Sequence, residues 1–340
     1  MRKLVRVCCC VVLLSVPACL AQDTKDTPTY KRVKAYLDSV PAIDTHDHLW
    51  PFEKLPGYEE TERGRGMKLA GLWRANYFTW LQRLTPWTPG GRFEDWWSVA
   101  KHDFENARAA SFYRYMLPAF QNLYGVDFDR ITDEQAADLD ARIFENYRDQ
   151  KWLYHVVTER ANKELMLNDP HWGRHDFTTY YPWEVLVYNV GPLLQGYHPS
   201  EFGKPSDDPY YFAQQQGMKV ESLDDYLAVL DRLFQTARER GAVCLKTTVT
   251  YRRTLRFEKV PKERVDRVFG RPRSELSPQE VKDFEDFIMW HLSELGAKYE
   301  LPFQIHTGIA RIQGSNPMLL VNLIAGNPRT KFILFHGGFP

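Results

Sequence analysis

Two histidines stand two residues apart in the stretch Ala42-Ile43-Asp44-Thr45-His46-Asp47-His48-Leu49. On a strand, alternate side chains share a face. His46 and His48 then project the same way, with Asp44 one step deeper on that face and Asp47 on the other. Neutral imidazole nitrogen is the commonest ligand for zinc and related ions, so the pair reads as a chelate. Two further histidines end short apolar runs: His306 after Phe303-Gln304-Ile305, and His336 after Phe332-Ile333-Leu334-Phe335. They are followed by Thr-Gly and Gly-Gly, which let the chain turn. A third run, Ala242 to Thr248, carries Lys246 on the same face as Cys244. A lysine on an inward face needs an anionic partner or a lowered pKa. Cys244 lies a layer below it and reads as interior filling, not as a nucleophile.

A second group follows Asn168-Asp169-Pro170. In His171-Trp172-Gly173-Arg174-His175, Pro170 and Gly173 argue for a loop, on which Arg174 is suited to pair a substrate carboxylate and His171 to contact substrate. A solvent-exposed loop is the competing reading. Arg252 and Arg253 are similar candidates, whereas the basic run from Lys259 to Arg273 is interleaved with acids and reads as a solvated face.

These residues need strands to hold them. Apolar runs predict six, at about 43–49, 164–168, 184–190, 243–248, 303–308 and 332–336. Between the later ones lie amphipathic helices, one starting at Ser222 with Asp225 at the capping-box position, the next at Ser277 with Pro278 and Glu280. Strands alternating with helices imply a parallel sheet with helical crossovers. No Gly-rich turn follows the first strand, which excludes an open dinucleotide-binding sheet. Polar residues at successive carboxyl ends of strands suit a (β/α)8 TIM-type barrel in the α/β class, with about six of eight strands present and strands 7 and 8 missing. The sequence is accordingly expected to be a truncated reading frame. Residues 50 to about 162 are rich in aromatic, Pro and Gly residues and are expected to form a long helical insertion after strand 1, a lid with a helix over Thr132–Trp152.

The chain has 44 basic and 44 acidic residues, a balance that argues against a general nucleic-acid or membrane-surface binder. Arg2, Lys3 and Arg6 precede the apolar run Val7–Val16, and small residues suit cleavage after Ala21. Residues 1–21 thus read as a signal peptide ahead of a 22–340 domain, with no integral membrane segment after its removal, and the protein as exported to the periplasm or outside the cell. Lipidation at Cys19 is the lesser alternative. After cleavage only Cys244 remains, so no disulfide is expected.

Taken together, Asp44-Thr45-His46-Asp47-His48, Leu245-Lys246-Thr247, Gln304-Ile305-His306-Thr307-Gly308 and Leu334-Phe335-His336-Gly337-Gly338 resemble the amidohydrolase superfamily, in particular its amidohydrolase-related (amidohydrolase 2) branch. The resemblance spans residues 42 to 340 and is poor across the insertion. It implies a metal site in a barrel mouth, with His46 and His48 on the more buried ion. Lys246 would stand at the position that many members carboxylate to bridge two metals, and His306 and His336 would serve the second metal or the substrate. The strand-eight Asp that completes such sites would lie beyond Pro340. The activity implied is a metal-dependent hydrolase, with one or two divalent ions (zinc first, manganese or iron next), acting on an amide, ester or lactone; beside it, Arg174 suits a carboxylate on the small-molecule substrate, and an aromatic lid suits a bulky or ring-containing one such as a sugar acid or an aromatic acid. The same scaffold hosts decarboxylases and uronate-type isomerases, and a non-catalytic binding protein is the rival from another class.

Overall fold

The computed structural model describes residues 24–170, 174–311 and 313–338; the expected signal peptide and His171 lie outside the described residues. A helix over Pro28–Ser39 belongs to a unit ending at Pro41. It starts at Pro28 because Thr27 Oγ accepts the Tyr30 N–H and Pro28 needs no donor in the first turn.

From Ala42 onward, eight strands among the described residues form two sheets. In chain order they are β1 (Ala42–Asp47), β2 (Tyr58–Thr61), β3 (Gly64–Met67), β4 (Lys163–Asn168), β5 (Glu184–Asn189), β6 (Cys244–Thr247), β7 (Phe303–His306) and β8 (Phe332–Phe335). β1, β4, β5, β6, β7 and β8 lie side by side in that order, all parallel. These are the six strands expected, and they make a curled half-barrel of the incomplete TIM type. The curl follows from its two edges. Flat strands about 4.8 Å apart would set β1 and β8 roughly 24 Å from each other. Instead the rings of His46, on β1, and Phe335, on β8, are 4.8 Å apart.

The crossovers form where their caps allow. The helices Leu223–Glu239 and Pro278–Lys298 each open with a complete capping box, Ser222 with Asp225 and Ser277 with Glu280. Their apolar faces, including Tyr226, Leu230, Phe234, Ile288 and Leu292, pack with the outward residues Leu245, Phe303 and Ile305. Each such fully buried side chain contributes about 1.5–3 kcal/mol. The inward positions are polar. Asn189, Lys246 and Gln304 stand in register on β5, β6 and β7 and are all buried.

The stretch 50–162 departs from an all-helical insertion, for β2 and β3 form an antiparallel hairpin. Its turn, Glu62-Arg63, carries no glycine, and the short polar strands show no apolar alternation. The helix expected over Thr132–Trp152 is two: Asp133–Asn146, then Gln150–Tyr154 restarted by an Asp149 cap. The stretch has a core of its own around Trp73, whose ring lies 4.9 to 5.7 Å from those of Phe78, Phe104, Tyr113, Phe120 and Phe128. Between β5 and β6 lies a helix, Pro209–Gln215, capped by Asp208. Among the described residues no helix is long and apolar enough to cross a membrane.

Candidate functional site

The polar residues at the strand ends converge. β1 closes at Asp47, so His48 stands one residue beyond it, yet the His46 and His48 rings meet edge to face at 4.6 Å. His48 Nδ1 is 2.9 Å from the Asp169 carbonyl oxygen. A carbonyl only accepts, so Nδ1 carries the ring proton. The same logic orders the other pair. His306 Nε2 lies 3.0 Å from the Ile309 carbonyl and therefore donates, which leaves Nδ1 to accept from His336 Nε2 at 3.1 Å. His336 sits in left-handed backbone, φ 63°, with Gly337 and Gly338 following at 60° and 74°. Only the two glycines adopt this at no steric cost, so the fold holds the imidazole against backbone strain of about 1–3 kcal/mol.

Lys246 is fully buried beside them. Its Nζ is 3.4 Å from His46 Nδ1 and 3.2 Å from Nε2. A point nearly equidistant from both ring nitrogens lies along neither lone pair. Nζ also stands 3.9 Å from the centre of the Phe335 ring, a cation–π contact. Burial lowers the Lys246 pKa to about 8, opposed by the negative charge of Asp169. Asp169 is itself buried and takes both hydrogen bonds of the Asn189 amide, at 3.0 and 3.1 Å. Burial lowers His46 to about 2, with the Lys246 charge adding to it, and lowers His306 to about 4. His336 is lowered too, for the same reason. Cys244, one step down β6, is pushed up to about 12 by burial and holds its proton.

The Asp44 side chain pairs with Lys163 and accepts the backbone N–H of His46 at 3.2 Å. Asp47 is 3.6 Å from the same lysine and accepts the His48 N–H at 2.6 Å. Both carboxylates fix the backbone of the histidine motif.

Beside this cluster lies a cavity of about 470 Å3, lined by Arg174, Asn189, Asp207, Thr248, Tyr251 and Arg252 among others. Arg174 Nη1 is 2.8 Å from Asp207 Oδ2, while its buried Nε has no partner. Arg252 donates to Glu285 at 2.6 Å. Arg253 turns away to Glu285 and Asp286, at 2.8 and 2.6 Å. Asp169, Asn189, Tyr251 and Phe335 went unremarked as site residues in the sequence. For Asp169 a signal existed: like the histidines, it directly follows an apolar strand.

The chemistry of the donors suits a divalent cation. Depressed pKa values keep the imidazoles of His46, His306 and His336 neutral, the form that ligates, and among the described residues Asp169 is the buried carboxylate of the cluster. Among the described residues no group of three or more His, Cys, Asp or Glu side chains is placed to hold a cation as it stands. His306 and His336 are instead bonded to each other, and His46 faces Lys246.

No family model matches the sequence, and no curated protein matches it. Solved structures do match the fold. A glucuronate isomerase from Caulobacter crescentus is 14% identical, with TM-score 0.64 over 90% of this chain and 71% of its own. A uronate isomerase from Thermotoga maritima, also 14% identical, gives 0.59 over 89% and 72%. A protein from Lactobacillus casei ATCC 334, described as a candidate metal-dependent hydrolase, gives 0.51 at 14% identity over 89% and 69%. At that identity the likeness is one of fold.

Proposed function

We propose that this chain is an exported metal-dependent hydrolase of the amidohydrolase superfamily, acting on an amide, ester or lactone of a small carboxylate. The observation that carries the reading is the convergence of His46, His48, His306 and His336 with Lys246 at the carboxyl ends of a half-barrel, beside a cavity bearing Arg174. His46 and His48 would hold a divalent ion, zinc first, with His306, His336 and Lys246 serving a second ion or the substrate. Such an ion supplies Lewis acidity and activates water at neutral pH. Arg174 and Arg252 would bind the carboxylate. Lys246 would either bridge two ions after carboxylation or hold substrate charge. The insertion over residues 50–162 would act as a lid.

A second reading, a uronate-type isomerase, is favoured by the fold likeness to two such enzymes. Metal content of the protein purified without chelator, compared with a His46→Ala/His48→Ala double variant, tests what both share. One or two equivalents of zinc, manganese or iron in the parent and none in the variant is the expected result. A parent as metal-free as the variant would overturn both readings. Hydrolysis of ester and lactone panels against isomerisation of glucuronate then separates the two.

A further inference from the structure

Residues 63–93 of the insertion hold no acidic residue, in a chain whose acids and bases balance. Six cations stand there, and four find acids outside the stretch: Arg63 pairs with Glu145, Arg65 with Glu60, Lys68 with Asp140 and Arg92 with Glu94. The other two, Arg74 and Arg83, are exposed and form no ion pair among the described residues. Between them in the chain come Tyr77, Trp80 and Leu81, with Trp80 and Leu81 65% and 70% exposed. Exposed apolar residues standing singly are ordinary, whereas a connected group rimmed by charge marks a contact surface. This group is connected. Trp80 meets Tyr77 at 5.4 Å, Tyr77 stacks on Phe112 at 5.6 Å, and Phe112 meets the exposed Tyr115 at 5.8 Å. The second segment, residues 106–126, is likewise free of acids.

The chemistry of the patch selects its partner. Trp and Tyr rings, apolar at one end and polar at the other, settle at the headgroup level of a bilayer. An aliphatic side chain beside them reaches the acyl boundary, and arginines without acids are drawn to anionic headgroups. A second copy of this chain fits poorly. A two-fold contact would lay the patch on itself and set Arg74 and Arg83 against like charges, with no acid in either stretch to answer them. A nucleic-acid strand fits poorly as well, since bases stack on rings and phosphates take cations, which leaves Leu81 without a role.

We propose that this face of the insertion, Tyr77, Trp80, Leu81 and Tyr115 with Arg74 and Arg83, docks peripherally on an anionic lipid surface. The charge balance of the whole chain argues against a general attraction to membranes; the attraction is confined to one face. Docking is independent of the reaction at the strand ends, so the failure of either reading leaves the other standing.

Flotation of the chain from Gln22 onward with lipid vesicles tests it, comparing phosphatidylcholine alone with a mixture holding about one-third phosphatidylglycerol. At low ionic strength the partition coefficient is expected to be about 5- to 30-fold higher on the anionic vesicles and to fall as salt is added. Trp80→Ala/Leu81→Ala and Arg74→Gln/Arg83→Gln should each lower it about fivefold or more. Arg256→Gln/Lys262→Gln, which removes the same charge from residues outside the insertion, should leave it unchanged. A parent that does not float with the anionic vesicles, or equal losses in the two charge variants, would overturn the proposal. A dimer in sedimentation velocity that Trp80→Ala/Leu81→Ala disperses would overturn it too, by assigning the patch to a second copy. Binding to a single-stranded oligonucleotide in place of vesicles would do the same.

Discussion

The ammonium of Lys246 touches two rings at once, the His46 imidazole at 3.2 Å and the Phe335 face at 3.9 Å from its centre. A buried cation held by an imidazole and a π-face, with Asp169 as the acid that supports it, is poorly compensated for its lost hydration. The fold keeps it there at a cost in stability.

Replacing that cation by an apolar chain of similar length should therefore not harm the fold. Lys246→Met is expected to leave stability unchanged or to raise it by about 1–3 kcal/mol, while abolishing whatever chemistry the site performs. Urea midpoints of the parent and the variant check this. A loss above about 2 kcal/mol would mean the ammonium is far better paired than its neighbours suggest.

His175 gives a pH dependence. Burial lowers its pKa to about 3, and the adjacent Arg174 charge adds to that. Unfolded, the ring titrates near 6.5, so between about pH 3 and 6.5 the unfolded chain binds the extra proton. Stability from this group is thus complete above about pH 6.5 and is lost as pH falls toward 3. At pH 5 the loss is about 1–2 kcal/mol, allowing for partial exposure of the ring. Denaturation of the parent and His175→Gln at pH 7.5 and pH 5 isolates it, since the variant should lose less stability on acidification. Equal losses would discard the account.

Glu285 is buried between Arg252 and Arg253. Glu285→Ala leaves both guanidinium groups without it and should cost about 3–5 kcal/mol. Arg256→Ala breaks a solvent-exposed, screened pair with Glu258 and should leave the denaturation midpoint nearly unchanged. Chemical denaturation of both variants should reproduce the contrast. Similar small losses would show that Asp286 alone neutralises the pair of arginines.

Gly71 and Gly57 bring two backbones together in the insertion. A Cβ at Gly71 would collide with the carbonyl oxygen of Gly57, a backbone atom that no side-chain rotation relieves. Gly71→Ala is expected to cost more than about 2 kcal/mol. Gly203→Ala, with nothing near its would-be Cβ, should fall within about 0.5 kcal/mol of the parent. Thermal melts compare the two directly, and a neutral Gly71→Ala would mean that this close approach is absent.

By itself the sequence determined the six barrel strands and the two long crossover helices. Capping at Ser222, Thr132 and Ser277, and apolar runs ending in His306, His336 and the segment around Lys246, act over a few residues, and local periodicity suffices to place them. The alternation of strands and helices likewise made the parallel half-barrel legible. Tertiary structure alone decided which side chains meet. Residue 46 touches residues 246 and 335 only because the sheet curls until its edges approach, and no local pattern encodes that curvature. The same holds for Asp169 under His48, for the bond between His306 and His336, and for Trp80 reaching Tyr251 from the insertion. The β2–β3 hairpin stayed hidden for another reason. Its strands are short and polar, and the contacts that stabilise it, such as Glu59 with the Trp87 indole, come from distant residues.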